Sequence, residues 1–223
     1  MAVAERTPRL AVLASGRGSN LQAILDAIAD GRLDARVAGV FSDRAKAHAL
    51  QRARDAGIEA AALRPRDYAG RDEFDAALFA RVAAVQPDLV VCAGYMRLLG
   101  AAALTPWAGR IINIHPSLLP DFKGLDTHAR ALAAGVGEHG ASVHYVTADL
   151  DGGPVIAQAR VPVHDGDDAE ALAARVLDTE HPLLVGSLQL LCAGRITLRD
   201  DAVELDGQPL GAPLQLAANR LLS

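Results

Sequence analysis

Cysteine and aromatic residues are scarce in this sequence, which has two cysteines and 4% Phe, Trp and Tyr among its 223 residues. Cys92 and Cys192 each lie in an apolar stretch, and two such cysteines cannot form the disulfide framework of a small secreted domain. They indicate buried thiols in a reducing compartment. The hydrophobic 51% of the chain consists mainly of Ala, Leu and Val, which favours layered α/β structure over an all-β sandwich.

Long apolar runs and basic blocks are also missing. No apolar run approaches the roughly 18 residues that a membrane-spanning helix needs. The run Leu10–Ala14, which follows the segment Met1–Pro8, is too short for the core of a secretion signal. The net charge is −5 and no basic stripe occurs, which argues against nucleic acid as the main partner but leaves room for a local phosphate pocket. We therefore expect a soluble, cytoplasmic protein with no nucleic-acid or membrane partner. We also expect a monomer or a homodimer, although these patterns do not distinguish the two.

The first half of the chain alternates short apolar runs with segments of helical spacing. Predicted strands are Leu10–Ala14, Arg36–Phe41, Ile58–Leu63 and Leu89–Ala93. Predicted helices are Asn20–Asp30, Ala45–Ala56 and Asp72–Val85. This strand–helix alternation predicts a parallel sheet with right-handed crossovers.

The second half changes character after a strand that ends at His115. An irregular stretch at Pro116–Leu125 comes first. The predicted elements after it are a short helix at Thr127–Ala134, an antiparallel strand pair at Ala141–Val146 and Val155–Val163, a long helix from Asp168 to Leu191, and a hairpin at Ile196–Leu198 and Val203–Leu205. Pro182 should kink or interrupt the long helix. The prediction is a single α/β domain whose sheet is mostly parallel with an antiparallel C-terminal part; the tail after Leu210 has no readable function.

The segment Asn113–Pro120 is the most informative part of the sequence. Alternate side chains of a strand share a face, so Asn113 and His115 should project together while Ile114 enters the core. Pro116 then ends the strand, because it lacks a backbone donor. An amide and an imidazole are thus predicted side by side at the carboxyl end of a strand, where open α/β sheets bind ligands.

A glycine-containing turn, Gly16–Asn20, lies between the first strand and the first helix. Glycines allow close approach of the backbone, and the helix N-terminus favours an anion, so the turn indicates phosphate binding. It resembles a dinucleotide fingerprint, with Asp43 roughly 25 positions further on, but lacks the third glycine. The alternative is an ordinary turn whose helix is capped by Ser19 or Asn20.

The segment Asp149–Pro154 has the composition of a tight hairpin turn, and taken alone that interpretation is favoured. The functional alternative needs one carboxylate to face His115. A carboxylate within hydrogen-bond reach would raise the histidine pKa and tune it for proton transfer near neutral pH.

Four histidines, His115, His128, His139 and His144, fall close together and suggest a metal site. Their spacing matches no familiar ligand motif, so no metal is predicted. The loop Met96–Leu99 follows a predicted strand and has two open interpretations: a binding surface for a flat heterocycle, or a loop packed on the core with its arginine in solvent.

Taken together and in order, six segments resemble the folate-dependent formyltransferases, and among them the branch that acts on glycinamide ribonucleotide. The set is highly specific, although no single segment is, and the similarity runs from about Leu10 to about Leu191. The segments are Gly16–Ala23, Gly94–Arg97, Asn113–Pro120, Gly124–His128, His139–His144 and Leu150–Pro154.

This resemblance implies a three-layer Rossmann-like formyltransferase fold and a function in de novo purine biosynthesis. The implied reaction moves the formyl group of 10-formyltetrahydrofolate, a co-substrate, to the amine of the ribonucleotide without a metal. The implied catalytic residues are Asn113, His115 and Asp151. The implied ribonucleotide-binding residues are Gly18, Ser19, Asn20 and Glu180. The implied folate-binding residues are Arg71, Met96, Arg97, Leu98, Leu99, Asn113, Thr147, Ala148, Asp149, Leu150 and Asp151.

The same resemblance divides the single domain, 1–223, into a phosphoribosyl-binding half (8–110), a catalytic and folate-binding half (111–195) and a terminal hairpin and tail (196–223). In the implied chemistry, Asn113 and a protonated His115 stabilise the oxyanion, and His115, kept charged by Asp151, donates a proton to the departing nitrogen. Three positions depart from the family pattern: Leu177 replaces a common glutamine, Asp126 a common histidine and Lys123 a common proline.

Three other functions remain as alternatives. A methionyl-tRNA formyltransferase shares the Asn-x-His-Pro-Ser core but typically adds a C-terminal domain and a basic face. A formyltetrahydrofolate hydrolase usually adds an N-terminal regulatory domain, whereas the first strand here starts at Leu10. A nucleotide-binding module without catalysis would use the turn Gly16–Asn20 but would leave Asn113, His115 and Asp151 unexplained.

Overall fold

The computed structural model of the protein describes residues 6–222, and the chain divides into two compact units, Met1–Arg97 and Leu98–Ser223. The predicted absence of a secretion signal concerns a segment whose residues 1–5 lie outside this range. Within residues 6–222, none of the helices combines the length and the apolar character that crossing a membrane requires.

The first unit is a parallel α/β sheet. Its strands are β1 (Arg9–Leu13), β2 (Arg36–Ser42), β3 (Ala60–Ala62) and β4 (Leu89–Cys92). Its helices are α1 (Ser19–Ala29), α2 (His48–Asp55) and α3 (Arg71–Ala84), with a 3₁₀ turn at Pro65–Asp67. The strands lie in the order β4-β1-β2-β3 and all pair in parallel, which confirms the predicted alternation.

The core of this unit explains why its strands read as continuous apolar runs. β1 lies between β2 and β4, and Leu10, Val12 and Leu13 have no exposed surface. A central parallel strand is covered on both faces and therefore carries apolar residues without alternation. One prediction is displaced: α2 begins at His48 rather than Ala45, because Ala47 is extended and its amide bonds Arg44 O in a preceding turn.

The second unit is built on antiparallel pairing. Its strands are β5 (Ile111–His115), β6 (Glu138–Tyr145), β7 (Val155–Pro162), β8 (Ile196–Arg199), β9 (Ala202–Leu205), β10 (Gln208–Pro209), β11 (Leu214–Ala217) and β12 (Arg220–Leu222). Its helices are α4 (Ala101–Leu104), α5 (Thr127–Ala133) and α6 (Ala169–Cys192), with a 3₁₀ turn at Thr105–Trp107. β6 pairs antiparallel with both β5 and β7, as predicted for β7, while β8, β9 and β10 form a separate small sheet. The tail after Leu210 supplies β11 and β12 beside β7.

Helix α6 corrects one expectation. Asp168 caps it as predicted, accepting a hydrogen bond from the Ala171 amide at 2.8 Å. The helix runs without interruption through Pro182, so of the two expected outcomes the interruption is wrong, and the kink stays a prediction. A proline inside a helix costs about 3 kcal/mol. Leu183, Leu184 and Leu188 are fully buried in a helix that packs on β6 and β7, and each such leucine contributes roughly 1.5–3 kcal/mol. Burial therefore outweighs the proline.

Candidate active site

Strand β5 presents Asn113 and His115 near its carboxyl end. Asn113 is half-buried, and its Nδ2 lies 3.1 Å from Nε2 of His144. His115 is only 6% exposed, and its Nδ1 lies 3.5 Å from Oδ2 of Asp151. Ile114 between them is buried in the core. The amide and the imidazole thus reach a shared set of partners on β6 and in the connection after it.

Asp151 lies in the connection from β6 to β7, with its carboxylate between two imidazoles. Oδ2 faces His115 and also accepts a hydrogen bond from the Gly124 amide at 2.9 Å, while Oδ1 lies 3.6 Å from Nε2 of His144. A Cβ on Gly153 would stand 2.0 Å from Tyr145 O, so only glycine permits this turn. The segment thus joins β6 to β7 as a turn and also brings one carboxylate to His115, which is the geometry that the functional alternative requires.

His144 is a residue of the site whose role was not predicted from the sequence. It lies opposite Asn113 in the antiparallel register of β5 and β6. Its Nδ1 donates to Tyr145 O at 2.8 Å, so in the neutral ring Nε2 is the acceptor and takes a hydrogen bond from Asn113 Nδ2. The histidine thereby orients the amide. Its place in a recurrent motif was visible in the sequence, but the strand register that brings it to Asn113 was not.

The protonation of His115 differs from the expectation. Burial lowers its pKa and is the largest influence; Asp151 and the Phe122 carbonyl raise it, and His144 and Arg130 lower it further. The net pKa is below its ordinary value, so the expected rise is wrong because burial outweighs the carboxylate. Nε2 lies 3.1 Å from Phe122 O, which can only accept, so the neutral ring carries its hydrogen there and Nδ1 faces Asp151.

The pKa of Asp151 is lowered, although burial alone raises the pKa of a carboxyl group. Burial, the largest influence, would by itself raise its pKa, but the hydrogen bond from the Gly124 amide and the nearby imidazoles of His144 and His115 lower it below the ordinary value. Asp151 is therefore ionised at neutral pH beside a neutral His115. A proton that arrives at Nδ1 of His115 is stabilised by this carboxylate.

Two further histidines, His128 on α5 and His139 on β6, pack edge to face with ring centroids 5.2 Å apart. His139 is 1% exposed, and burial, followed by repulsion from His128 and His115, lowers its pKa to about 4. Burial likewise lowers the pKa of His128. Over residues 6–222, no cluster of three or more His, Cys, Asp or Glu side chains could hold a metal ion.

In the first unit, the turn before α1 leads into the helix N-terminus at Gly18. Gly18 has φ +75°, and a Cβ there would lie 2.8 Å from Ala49, so a side chain at this position is excluded. Gly18 itself is the N-cap, and no described side chain caps the helix, so the predicted alternative of a Ser19 or Asn20 cap is wrong. The first-turn amides, including those of Ser19 and Asn20, are suited to an anion. Asp43, the acidic residue of the dinucleotide-like pattern, is buried and accepts a 2.5 Å hydrogen bond from Ser15 Oγ.

The loop after β4 has features of both interpretations offered for it. Met96 and Leu98 expose 56% and 55% of their surface, whereas Leu99 is buried. The Met96 amide donates to Ser15 Oγ at 2.9 Å, which anchors this loop within the first unit. Arg97 is not simply in solvent: its guanidinium carbon lies 5.1 Å from the centroid of the Phe74 ring.

The remaining predicted positions lie on separate elements. Arg71 begins α3, with Nε 3.7 Å from Asp75 Oδ2. Thr147 is half-buried, and Ala148, Asp149 and Leu150 are exposed in the connection that leads to Asp151. Glu180 and Leu177 are half-buried on α6. Asp126 precedes α5 with φ +56°, and Lys123 is exposed in the preceding loop.

Comparison with known proteins identifies the family. The sequence model described as Formyl transferase matches residues 8–188. The chain belongs to the formyl transferase family. One relative is the phosphoribosylglycinamide formyltransferase of Escherichia coli (strain K12). It is 46% identical to this chain over 201 residues, which cover 90% of this chain and 95% of the relative.

Solved structures of formyl transferases give the same result. The phosphoribosylglycinamide formyltransferase of Coxiella burnetii superposes with a TM-score of 0.89 at 45% identity, over 92% of this chain and 97% of that one. A formyltetrahydrofolate deformylase from Pseudomonas syringae is less similar, with a TM-score of 0.82 at 29% identity over 90% of this chain and 66% of that one. These likenesses confirm the predicted α/β formyltransferase fold.

Proposed function

We propose that the protein transfers the formyl group of 10-formyltetrahydrofolate to the amine of N1-(5-phosphoribosyl)glycinamide, forming the N-formyl product and tetrahydrofolate in de novo purine biosynthesis. One observation carries this proposal: Asn113, His115 and Asp151 converge around His144 in a chain 46% identical, over most of both lengths, to a phosphoribosylglycinamide formyltransferase. A cytoplasmic location and a monomer or homodimer belong to the same proposal.

Asn113 acts on the carbonyl oxygen in this proposal. When an amine attacks a formyl group, negative charge develops on that oxygen, and a preoriented N–H donor stabilises it. The amide nitrogen of Asn113 has two hydrogens, one of which bonds His144 Nε2 at 3.1 Å. The second remains for the developing oxyanion, and His144 fixes its direction.

His115 carries the proton. The attacking amine loses one proton, and the nitrogen that departs needs one. His115 starts neutral because burial depresses its pKa, and Asp151, ionised 3.5 Å from Nδ1, stabilises the imidazolium that forms. The proton from the amine thus rests on His115 and then passes to the departing nitrogen. The histidine acts first as a base and then as an acid.

The binding roles rest on separate segments. The amides of Gly18, Ser19 and Asn20 bind the phosphoribosyl group, and Glu180 contacts the glycinamide. The folate is bound by Arg71, Met96, Arg97, Leu98, Leu99, Asn113, Thr147, Ala148, Asp149, Leu150 and Asp151; it supplies the formyl carbon. The exposed Met96 and Leu98 side chains fit a flat heterocycle. Residues 8–110 then form the phosphoribosyl-binding half, 111–195 the catalytic and folate-binding half, and 196–223 a hairpin and tail.

The test mixes the purified protein with a 10-formylfolate analogue whose deformylated product differs in absorbance. Product formed only when the ribonucleotide is present establishes the transferase. Product formed without the ribonucleotide establishes a deformylase instead, the second candidate, which the likeness to the Pseudomonas syringae structure favours. Folded protein that yields no product under either condition contradicts both functions.

A further inference from the structure

The loop between β5 and α5 supplies two main-chain groups to the catalytic pair. The Phe122 carbonyl lies 3.1 Å from Nε2 of His115 and fixes the position of its hydrogen. The Gly124 amide donates to Asp151 Oδ2 at 2.9 Å and helps keep this carboxylate ionised. The backbone conformation of residues 122–124 therefore determines how both His115 and Asp151 are held.

This backbone adopts conformations that are unfavourable for its residues. Phe122 has φ +53° and Asp126 has φ +56°, values that L-residues with side chains rarely adopt, and Gly124 between them has φ +82°. Left-handed conformations of non-glycine residues cost on the order of 1–3 kcal/mol each. Contacts from outside the loop must hold it in this shape.

Arg130 on α5 provides such contacts. Its Nη1 donates to Lys123 O at 2.6 Å and to Leu125 O at 3.3 Å, the carbonyls on either side of Gly124. Its guanidinium carbon also lies 5.8 Å from the centroid of the Phe122 ring. One exposed side chain thus touches three of the four residues from 122 to 125, including both neighbours of the amide that binds Asp151.

We propose that Arg130 is a positioning residue for formyl transfer, which fixes residues 122–125 so that Phe122 O and the Gly124 amide hold His115 and Asp151. The inference rests on the proposed function for its catalytic part. Arg130 touches neither reacting group and acts through the loop. Arginine suits this role because its planar guanidinium directs several N–H donors at once, which the single ammonium of lysine does not.

The charge of Arg130 gives a second readout. Its positive charge is one of the influences that lower the pKa of His115, so removal should raise that pKa. The titratable and charged groups that surround His115 are Asp151, His144, His128, His139 and Arg130. The acidic limb of the pH profile of kcat/KM should therefore move to higher pH in a neutral variant.

The experiment compares Arg130→Ala, Arg130→Gln and Arg130→Lys with the intact protein. We expect Arg130→Ala to lower kcat by about tenfold to a hundredfold, the scale of effect that follows from slight misplacement of catalytic groups. KM for both substrates should change little. Arg130→Lys should keep the pH profile but recover only part of kcat, and Arg130→Gln should show the shifted profile. The matched control is Arg160→Ala, which removes an exposed arginine of β7 that pairs with Glu138.

Amide hydrogen exchange at Gly124 separates this proposal from the proposed function. Arg130→Ala should accelerate exchange of that amide, while the melting temperature stays close to that of the Arg160→Ala control. If the intact protein transfers no formyl group, the proposed function fails, and the exchange at Gly124 still decides whether Arg130 holds the loop. A kcat for Arg130→Ala within threefold of the intact protein, or unchanged Gly124 exchange, overturns the proposal.

Discussion

The candidate site of the first unit consists of backbone groups, whereas that of the second unit consists of side chains. In the first unit, the candidate phosphate site consists of the backbone amides of Gly18, Ser19 and Asn20 at the start of α1. In the second unit, the proposed catalytic groups are side chains from β5 and from the connection after β6, and His144 of β6 lies against one of them. A backbone site depends on one local conformation, whereas a side-chain site depends on strand register and burial. The residues of the first kind lie within one short segment of the sequence, whereas those of the second are brought together only by the fold.

The largest effect is expected from the side-chain site. His115→Ala removes the proton carrier and Asp151→Asn the charge that stabilises it, so each should lower turnover by about a thousandfold or more while folate affinity is largely kept. Turnover and folate binding are measured separately, by absorbance and by titration. Asp165→Asn, an exposed aspartate in the loop before α6, is the control. Near-normal turnover in either variant would remove these residues from the mechanism.

Substitution of His144 tests whether the pairing of β5 with β6, which brings His144 to Asn113, contributes to catalysis. His144→Leu leaves the Asn113 amide without its orienting acceptor and should lower kcat by about tenfold to a hundredfold, the scale of losing an oriented oxyanion donor. In an Asn113→Ala background the same substitution should cost far less, because the group it orients is already gone. Equal losses in both backgrounds would show that His144 acts independently of Asn113.

The substitution Gly18→Ala, which adds one methyl group, tests the candidate phosphate site at the start of α1. Gly18→Ala forces a side chain into φ +75° and against Ala49 at 2.8 Å, so the start of α1 must shift. We expect KM for the ribonucleotide to rise about tenfold or more, since a hydrogen bond to a charged group contributes roughly 1.5–3 kcal/mol, with KM for the folate little changed. Gly16→Ala is the matched control, because its Cβ meets no described atom within 4 Å. Equal KM values in the two variants would argue against the turn as the phosphate site.

The last prediction concerns the stability of the fold and its dependence on pH, with no effect on catalysis at neutral pH. Burial lowers the pKa of His139 from 6.5 to about 4, so between these values the unfolded chain binds a proton that the folded protein does not. Stability should therefore fall as pH drops from about 6.5 to about 4, with a slope of up to about 1.4 kcal/mol per pH unit from this residue. Urea unfolding across this range should show the slope reduced in His139→Phe. His48→Gln, an exposed histidine of α2, controls for the loss of a histidine.

Helices and strands were predicted well where a long segment carries apolar residues at regular spacing. The parallel strands and the helices α1, α3 and α6 appear within a few residues of their predicted positions, because burial of whole strands or helix stripes leaves a clear pattern. The strands β11 and β12 and the single-turn helix α4 were not predicted, since they bury few residues. The uninterrupted α6 shows tertiary packing overriding a local preference at Pro182.

The candidate site was only partly predictable. The projection of Asn113 and His115 from one strand follows from alternation, but the role of Asp151 came from family resemblance, since its segment alone reads as a turn. Phe122, Gly124 and His144 contribute through main-chain and register contacts that no local pattern encodes. The direction of the His115 pKa was predicted incorrectly because burial, the dominant influence, is a property of the fold.

By itself the sequence determined the α/β class, the family and the kinds of side chain available for catalysis. These follow from the periodicity of apolar residues and from the order of the motifs, both of which are local properties of the chain. Only the tertiary structure decided which groups meet: the antiparallel register that pairs Asn113 with His144, and the loop that returns Phe122 and Gly124 to His115 and Asp151. It also decided the protonation states, since desolvation depends on what surrounds a side chain in space.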